Sequence, residues 1–329
     1  MLIFTAGKFI RTLRALPMTT DVDSTLSCWC GNDALVGFDG PYRRCDACQT
    51  LVAPPPPDHT DIRVGLDETG YYGREYWFGH QQADLSLPDL ASRARTDLPE
   101  RCLHWLKTLL RVLLPPAKVL EIGGGHGGFV ALLRQAGFDA TGLELSPWVV
   151  DFARKTFDIP MLHGPIEDQP ISTGSLDAIV MMDVLEHLPR PLATMEKCLS
   201  LLKPNGLLLV QTPCYPENTS IAQLRATGHK FPQMLDPSEH LFLYSQSSVR
   251  RLFAQLDTPY VEFVPAIFDF YDMALLAGRS PIHVLEPTEA ADCLLATPAG
   301  RMVQAMIDLD DRRLSLLQKY RALHSSAAA

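Results

Sequence analysis

The sequence has no long apolar run and comparatively few positive charges. No apolar run approaches the ~18 residues that a membrane-spanning helix needs, so we expect no membrane segment. Lys and Arg number 29 against 38 Asp and Glu, which gives a formal net charge of −9. Binding to nucleic-acid phosphates relies on Lys and Arg, so this balance argues against a sequence-independent nucleic-acid binder. The composition, 47% hydrophobic and 20% charged, is typical of a globular protein, and 329 residues suggest about two domains.

The first twenty residues contain three basic side chains, Lys8, Arg11 and Arg14, and no acid. These charges interrupt the apolar residues, so the apolar core of a secretory signal peptide is missing. We therefore expect residues 1–24 to be a flexible leader and the protein to be cytoplasmic. The alternative that Met18 is the true start stays open.

Eight cysteines are present, and four of them form the pattern C-x-C, fourteen residues, C-x-x-C: Cys28, Cys30, Cys45 and Cys48. Four thiolates in a turn-rich segment without an apolar core predict a closed, structural zinc site over residues 25–57. Gly31 would allow the tight turn after the second cysteine. Disulfides, which a reducing cytosol disfavours, and free thiols are the alternatives. The other cysteines lie in apolar patterns and are expected in the core.

Strands alternate with helices from about residue 97 onward. KVLEI, FDATGLEL, IPMLHG, LDAIVMMD and GLLLVQTP read as strands, with amphipathic helices between most of them. The helix before GLLLVQTP is expected to stop at Pro204 and Gly206. This alternation predicts an α/β fold with a mostly parallel, Rossmann-like sheet and helices on both faces. We expect this domain over 97–268, and a helical region over 269–329 that ends in a long helix from about 298 to 322.

The stretch EIGGGHGGF, Glu121–Phe129, follows the apolar residues KVL. Its glycines fit two cofactor motifs, the G-x-G-x-x-G of dinucleotide folds and the E/D-x-G-x-G-x-G of S-adenosylmethionine (SAM) sites. Glu121 would repel a pyrophosphate, whereas SAM carries a positive amino group and a positive sulfonium. Glu144 lies 21 residues after Gly123 (144 − 123), where an acid that binds ribose hydroxyls is expected.

The sequence SLDAIVMMDVLEHLPRP, followed by LLKPNGLLLVQTP, resembles the fourth and fifth strands of class I SAM-dependent methyltransferases over roughly residues 100–250. The resemblance implies SAM as the cofactor. It places the following residues around SAM: Glu121, Gly123, Gly125 and Gly127 at the methionine part, Glu144 at the ribose, Leu145, Ile166 and Glu167 at the adenine, and Met182 and Asp183 near the methyl group. Pro165 stands where such enzymes often have an acid.

Transfer of a methyl group to a hydroxyl is helped by a positioned base, and histidine suits this role because its pKa lies near neutrality. The candidates are His187 in DVLEHLP and His240 in PSEHLFLYS, with Glu239 and Tyr244 as helpers of His240. For His187 the alternative is a structural side chain that bonds a neighbouring backbone.

An aromatic-rich stretch, GYYGREYWF, lies in the predicted linker over residues 58–96. Its aromatic side chains could floor a sugar pocket, close over SAM, or form a small core that packs the zinc segment onto the main domain. The alternatives stay open.

The order of the cysteine cluster, PPPP, YYGREYW, the methyltransferase motifs and EHLFLYS resembles bacterial methyltransferases with an N-terminal zinc-binding segment. Many of these act on sugars, which implies O-methylation, ahead of C-methylation, of a sugar, glycan or glycosylated small molecule. The alternatives are a non-sugar natural product as acceptor, an NAD(P)-dependent oxidoreductase, or a binding module on a degenerate enzyme. We expect a monomer or homodimer that contacts neither nucleic acid nor membrane.

Overall fold

The computed structural model describes residues 26–55, 62–66, 68–84 and 88–326. The leader predicted over residues 1–24 and part of the proline spacer lie outside these ranges. The strands are β1 Leu35–Asp39, β2 Tyr42–Cys45, β3 Leu51–Val52, β4 Lys118–Ile122, β5 Asp139–Glu144, β6 Met161–His163, β7 Leu176–Met182, β8 Leu202–Pro213, β9 Phe242–Leu243, β10 Tyr260–Val264 and β11 Asp272–Gly278. The α-helices are α1 Leu90–Thr96, α2 Leu103–Leu110, α3 Gly128–Gln135, α4 Pro147–Phe157, α5 Pro191–Leu201, α6 Ile221–Ala226, α7 Gln246–Gln255, α8 Pro287–Leu295 and α9 Pro298–Ser326.

The main sheet has the strand order β10-β11-β8-β7-β4-β5-β6. Strands β8, β7, β4, β5 and β6 are parallel, as the strand–helix alternation predicts, and β11 and β10 extend the sheet in antiparallel pairing. Strands β4 and β7 are buried along most of their length, because helices cover both faces of the sheet.

The strand order reverses direction at β4. From β4 the chain continues to β5 and β6 on one side, and then returns to β7 and β8 on the other. The carboxyl ends of β4 and β7 therefore open onto one crevice, which is where open α/β sheets bind their ligands.

The prediction that the region beyond residue 270 is mostly helical was wrong for DMALLAG. These residues form β11, which is buried throughout and pairs with β8 from Asp272 to Gly278. A short apolar run fits a buried helix and a buried strand equally well, and only pairing with a partner strand decides between them. The helical prediction for the rest of this region is confirmed by α8 and α9.

A second difference concerns the junction of α5 and β8. The sequence predicts that Pro204 and Gly206 stop the helix, but α5 ends at Leu201 and β8 already begins at Leu202. The KPNG residues are accommodated as an irregularity in β8, because the pairing with β7 jumps from Leu202 to Leu207.

The four-cysteine segment forms a small antiparallel sheet, β1-β2-β3-β9, whose last strand comes from the segment between β8 and α7. Its pairing joins Leu51 to Leu243 and Val52 to Phe242. The last strand of the small sheet thus begins two residues after His240. Among the described residues, no helix combines the length and apolar character needed to cross a membrane.

Candidate functional site

The glycine loop follows β4 and reaches the N-terminus of α3 at the crevice. Gly123, Gly125 and Gly127 all have positive φ angles, of 74°, 48° and 82°. A Cβ atom on Gly123 would lie 2.6 Å from Cγ2 of Val184, and one on Gly127 would lie 2.6 Å from Cδ1 of Ile159. Both the backbone conformation and the close contacts therefore require glycine at these two positions.

Glu121 is the next-to-last residue of β4, two residues before Gly123, and it is only 4% exposed. Its Oε2 has no hydrogen-bond partner among the described residues. Burial, and secondarily the nearby Glu144 carboxylate, raises the pKa of Glu121 well above its usual range. A buried acceptor of this kind fits a cationic ligand such as the amino group of SAM.

Glu144 ends β5 and holds three backbone amides together. Its Oε2 accepts from the Gly125 amide at 3.1 Å, and its Oε1 accepts from Leu145 and Ser146 at 2.8 and 3.2 Å. Burial raises the pKa of Glu144, and these amides oppose the shift. Ser146 is the N-cap residue of α4, and its side chain makes no capping bond among the described residues. The predicted ribose acid thus lies directly beside the glycine loop.

The aromatic-rich segment closes over the glycine loop. Trp77, in the π-helix Glu75–Asp84, is 8% exposed, and its ring lies 3.8 Å from the position of a Cβ on Gly125. Its Nε1 has no hydrogen-bond partner among the described side chains. Trp77 also packs with Leu90 and Val149, so the segment has its own small core as well. Trp77 thus contacts the glycine loop and also packs with residues of α1 and α4. The alternatives for this stretch stay predictions.

A chain of hydrogen bonds ties this segment to the loop. Gln81 donates to the Tyr76 hydroxyl at 2.8 Å and accepts from Arg93 at 2.8 Å. Arg93 and His126 both approach the same oxygen of Asp97, at 3.5 and 3.1 Å. The position of the aromatic segment is therefore coupled to a residue inside the glycine motif.

His126 has a defined tautomer in this arrangement. Its Nδ1 accepts from the Gly128 amide at 3.0 Å, so Nε2 must carry the proton that is donated to Asp97. His126 thus stabilises the start of α3 through one nitrogen and holds Asp97 through the other.

The residues predicted near the adenine follow β5 and β6, and Met182, which is predicted near the methyl group, ends β7. Ile166 and Met182 are buried and Leu145 is half-buried. Glu167 is exposed, and its carboxylate accepts from the Thr194 hydroxyl on α5 at 2.5 Å. The Glu167 carboxylate is thus already engaged with α5.

Asp183 follows β7 in a left-handed backbone conformation, with φ 58°. Gln211 fixes it, because its amide donates to Oδ1 of Asp183 at 3.2 Å and its carbonyl oxygen accepts from the Trp105 indole at 3.2 Å. Non-glycine residues in this conformation concentrate at functional sites. Burial raises the pKa of Asp183.

The two candidate bases meet at the carboxyl edge of β7. The rings of His187 and His240 have centroids 5.0 Å apart. His187 Nδ1 lies 2.9 Å from the Glu239 carbonyl and His240 Nδ1 lies 2.7 Å from the Met234 carbonyl. Because a carbonyl can only accept, each Nδ1 carries a proton, which leaves Nε2 as the basic nitrogen of each neutral ring. The backbone bond that we considered for His187 is present, and it also defines the tautomer.

Two further carboxylates lie deep beside this pair. Glu186 is fully buried and accepts from the Thr212 hydroxyl at 2.9 Å, whereas its Oε1 has no hydrogen-bond partner among the described residues. Asp272, at the start of β11, is 7% exposed, and burial together with the Asp183 charge raises its pKa to about 8. Neither residue was identified from the sequence.

Tyr244 and Glu239 flank His240 in sequence. Tyr244 is 0% exposed, its hydroxyl has no hydrogen-bond partner among the described residues, and it belongs to the core cluster that contains Cys28 and Cys48. Glu239 is 7% exposed. The structure brings the two histidines together and places Tyr244 in the core next to the cysteines.

The four cysteines converge as their spacing predicts. Cys28 Sγ lies 3.4 Å from Cys48 Sγ, and Cys30 Sγ lies 3.6 Å from Cys45 Sγ. Thiolates bound tetrahedrally to zinc at about 2.3 Å lie about 3.8 Å apart, so the arrangement fits that ion closely. The hydrogen bond between Cys28 and Cys48 lowers the pKa of Cys48 and raises that of Cys28, because the two thiols share one proton in this bond.

The cysteine cluster is linked to the candidate site through the backbone. The Tyr42 hydroxyl donates to the His240 carbonyl at 2.8 Å, and the Ala53 amide donates to the Leu241 carbonyl at 3.0 Å. The small sheet therefore holds the backbone at His240 and at the residue that follows it.

Known proteins are similar to part of this chain. A family described as "Methyltransferase domain" matches residues 94–261. A ubiquinone biosynthesis O-methyltransferase of Xanthomonas campestris pv. campestris is 36% identical over 131 residues, which covers 35% of this chain and 54% of that protein. Its counterpart in Xylella fastidiosa is 33% identical over 129 residues, covering 35% and 51%. The chain thus spans about half the length of the curated relatives it matches.

Among solved structures, a complex between the Haloferax volcanii Trm112 methyltransferase activator and a methyltransferase matches with TM-score 0.46 and 20% identity, covering 60% of this chain and 96% of that one. The YcgJ protein from Bacillus subtilis matches with TM-score 0.44 and 16% identity, covering 55% and 99%. The family match spans more than half of the 329 residues. This chain belongs to the methyltransferase domain family.

Proposed function

We propose that the protein is a SAM-dependent methyltransferase that methylates a hydroxyl oxygen. The observation that carries this proposal is the arrangement at the switch point of the sheet. A glycine loop flanked by two buried acids, Glu121 and Glu144, faces the segment that carries His187 and His240. The oxidoreductase alternative has no support from the family match.

The chain's residues suit the cofactor in three ways. The unpartnered Oε2 of Glu121 offers a carboxylate to a cationic amine, and the backbone at Gly125 is open, because an added Cβ there would meet no atom closer than 3.8 Å. Glu144 accepts hydrogen bonds from backbone amides beside the loop, and its carboxylate could accept from the ribose hydroxyls of SAM instead. SAM, when bound, supplies a methyl group on a positive sulfur, which makes that carbon a strong electrophile.

The acceptor side must position the hydroxyl and remove its proton. Methyl transfer forms an oxygen–carbon bond and breaks the sulfur–carbon bond, which leaves a neutral thioether, and the hydroxyl proton passes to a base. We assign this role to Nε2 of His240, with that of His187 as the alternative. The segment with Tyr72 and Trp77 excludes water above the loop, and the Tyr72 ring lies 6.3 Å from that of His187.

For the acceptor we favour a sugar, a glycan or a glycosylated small molecule, as the resemblance to zinc-segment methyltransferases implies. The names of the curated relatives, ubiquinone biosynthesis O-methyltransferases, support oxygen as the methylated atom and make a non-sugar natural product the second candidate. We further propose that the four cysteines bind one structural zinc ion, because their donor set and spacing fit it.

The first test is calorimetric titration of the protein with S-adenosylhomocysteine, the reaction product, beside NAD and NADP. Binding of S-adenosylhomocysteine alone is expected, and binding of a dinucleotide alone would overturn the proposal. Glu144→Ala should weaken binding by about 1–3 kcal/mol, since it removes a hydrogen-bond acceptor. An unchanged affinity would remove Glu144 from the site.

The second test screens acceptors, with sugar nucleotides and hydroxylated aromatic compounds in parallel. His240→Ala should lower turnover and leave the affinity for S-adenosylhomocysteine unchanged. We choose His240 because His187 lies close in sequence to Val184, which contacts Gly123, so its loss would also disturb the cofactor loop. Normal turnover of the variant would exclude His240 as the base.

A further inference from the structure

Three electron-pair donors converge at the acceptor side of the crevice: a carboxylate oxygen of Glu186 and one nitrogen each of His187 and His240. These ligand atoms all lie within 4.8 Å of one another. We propose that they bind a divalent first-row transition ion, such as Mn²⁺ or Zn²⁺, at a second metal site separate from the four cysteines.

The tautomers of both histidines favour a cation. Each ring places Nδ1 at hydrogen-bond distance from a backbone carbonyl, of Glu239 for His187 and of Met234 for His240. Metal-binding histidines characteristically donate their other ring N–H to such an acceptor, which fixes the ring and directs the lone pair of Nε2 toward the ion.

Glu186 supplies the independent argument. The residue is 0% exposed, and Oε2 is satisfied by the Thr212 hydroxyl, whereas Oε1 has no hydrogen-bond partner among the described residues. Nε2 of His187 lies 3.9 Å from Oε1, which is beyond hydrogen-bond distance. A cation between Oε1 and the two imidazole nitrogens would satisfy this buried oxygen and balance its charge.

The donor set indicates the class of ion. Two imidazole nitrogens and one carboxylate oxygen suit first-row transition ions, and such a triad leaves coordination positions open for a ligand. Atoms bound to one ion at about 2.1 Å lie about 3–3.5 Å apart. Side-chain rotations that bring the three atoms closer by about 1 Å would complete the site.

The location gives the ion a role. Glu186 and His187 form the turn directly after β7, beside Asp183 and across from the glycine loop. Ion binding does not depend on the proposed function, but the role of the ion in catalysis rests on it. The ion would bind the acceptor hydroxyl and promote loss of its proton to solvent. In the ion-bound protein His240 is therefore a ligand, and its role as the base applies to the protein without the ion.

The test uses the full chain and Mn²⁺, because manganese prefers oxygen and nitrogen to thiolate ligands. Electron paramagnetic resonance of free Mn²⁺ during titration should show one bound ion per chain. Glu186→Gln, which keeps the side-chain shape, should weaken binding about tenfold or more, as loss of a ligand predicts. The matched control His104→Ala should bind Mn²⁺ like the wild type, since His104 bonds the Pro265 carbonyl outside the cluster.

Zinc counting completes the test. Wild-type protein saturated with Zn²⁺ should hold two zinc ions per chain, and the Glu186→Gln variant should hold one. Binding of S-adenosylhomocysteine to the wild type and to the variant would confirm that both proteins are folded. The proposal is overturned if neither ion binds outside the four cysteines, or if Glu186→Gln binds as the wild type does. The metal-binding measurement needs no methyl acceptor. Its failure is therefore distinct from failure of the methyltransferase proposal, because that proposal is tested by the S-adenosylhomocysteine titration.

Discussion

The substitution Glu121→Gln should stabilise the ligand-free protein and weaken cofactor binding. Glu121 is 4% exposed and its Oε2 has no hydrogen-bond partner among the described residues. A buried polar group in this condition costs about 1–3 kcal/mol, and more when it is charged. Glutamine keeps the shape of the side chain and removes the charge. We therefore expect the free energy of unfolding to rise by about 1 kcal/mol or more.

The sign of the pH dependence follows from the direction of the pKa shift. Burial raises the pKa of Glu121 in the folded protein well above its usual range, whereas in the unfolded chain this carboxyl titrates near about 4.3. As the pH rises above that value, the unfolded state loses its proton first, and the wild type loses stability relative to Glu121→Gln. The advantage of the variant should therefore be small near pH 4 and increase toward neutrality.

Urea denaturation from pH 4 to 8 measures this difference, and calorimetry with S-adenosylhomocysteine measures the binding. Without the carboxylate, affinity should fall about tenfold or more, because the ligand's amino group loses an ionic partner. The matched control is Glu196→Gln on α5, where the side chain is exposed and neither quantity should change. A less stable variant with unchanged affinity would refute the reasoning, since Glu121 would then support the fold alone.

Three further predictions concern the cysteine segment and the aromatic segment. Metal analysis should find one structural zinc ion in the wild type and none in Cys45→Ser. Absence of zinc from the wild type would mean that the four cysteines are free thiols. Tyr42→Phe should lower turnover while S-adenosylhomocysteine affinity stays constant, because the hydroxyl that holds the His240 carbonyl is gone; unchanged turnover would show that this bond positions nothing. Trp77→Ala should speed S-adenosylhomocysteine dissociation about tenfold by uncovering Gly125, as measured by surface plasmon resonance, and an unaltered rate would make its role packing alone.

The parallel part of the sheet could be predicted because its signals are local. KVLEI forms β4 as predicted, and the glycines after it form the expected loop. The strand DMALLAG could not be distinguished from a buried helix, since its conformation depends on pairing with β8 more than fifty residues earlier in the chain. The end of α5 was misplaced for a related reason, because β7 holds Leu202 in the sheet before the proline is reached.

The candidate cofactor residues could also be predicted from short sequence patterns, since they occupy the ends of successive strands. The contacts that close the site could not, because they join residues far apart in the sequence. Trp77 reaches Gly125, and Asp97 reaches His126, across gaps of 48 and 29 residues (125 − 77 and 126 − 97). A single sequence holds no signal for such pairs. Glu186 lay inside the quoted motif DVLEHLP, and only its complete burial distinguishes it from a solvated acid.

The small sheet explains how a closed cysteine cluster can influence chemistry that it does not perform. Four sulfur ligands leave no open position for a substrate. The cluster fixes β3, which pairs with β9, and Tyr42 of the same sheet holds the backbone of His240. Displacement of His240 by about 1 Å would misalign an acceptor, and misalignment of that size can cost about a hundredfold in rate. Loss of zinc should therefore reduce methyl transfer more than it reduces S-adenosylhomocysteine binding, because the glycine loop is held by Glu144 and His126 from the other side of the crevice.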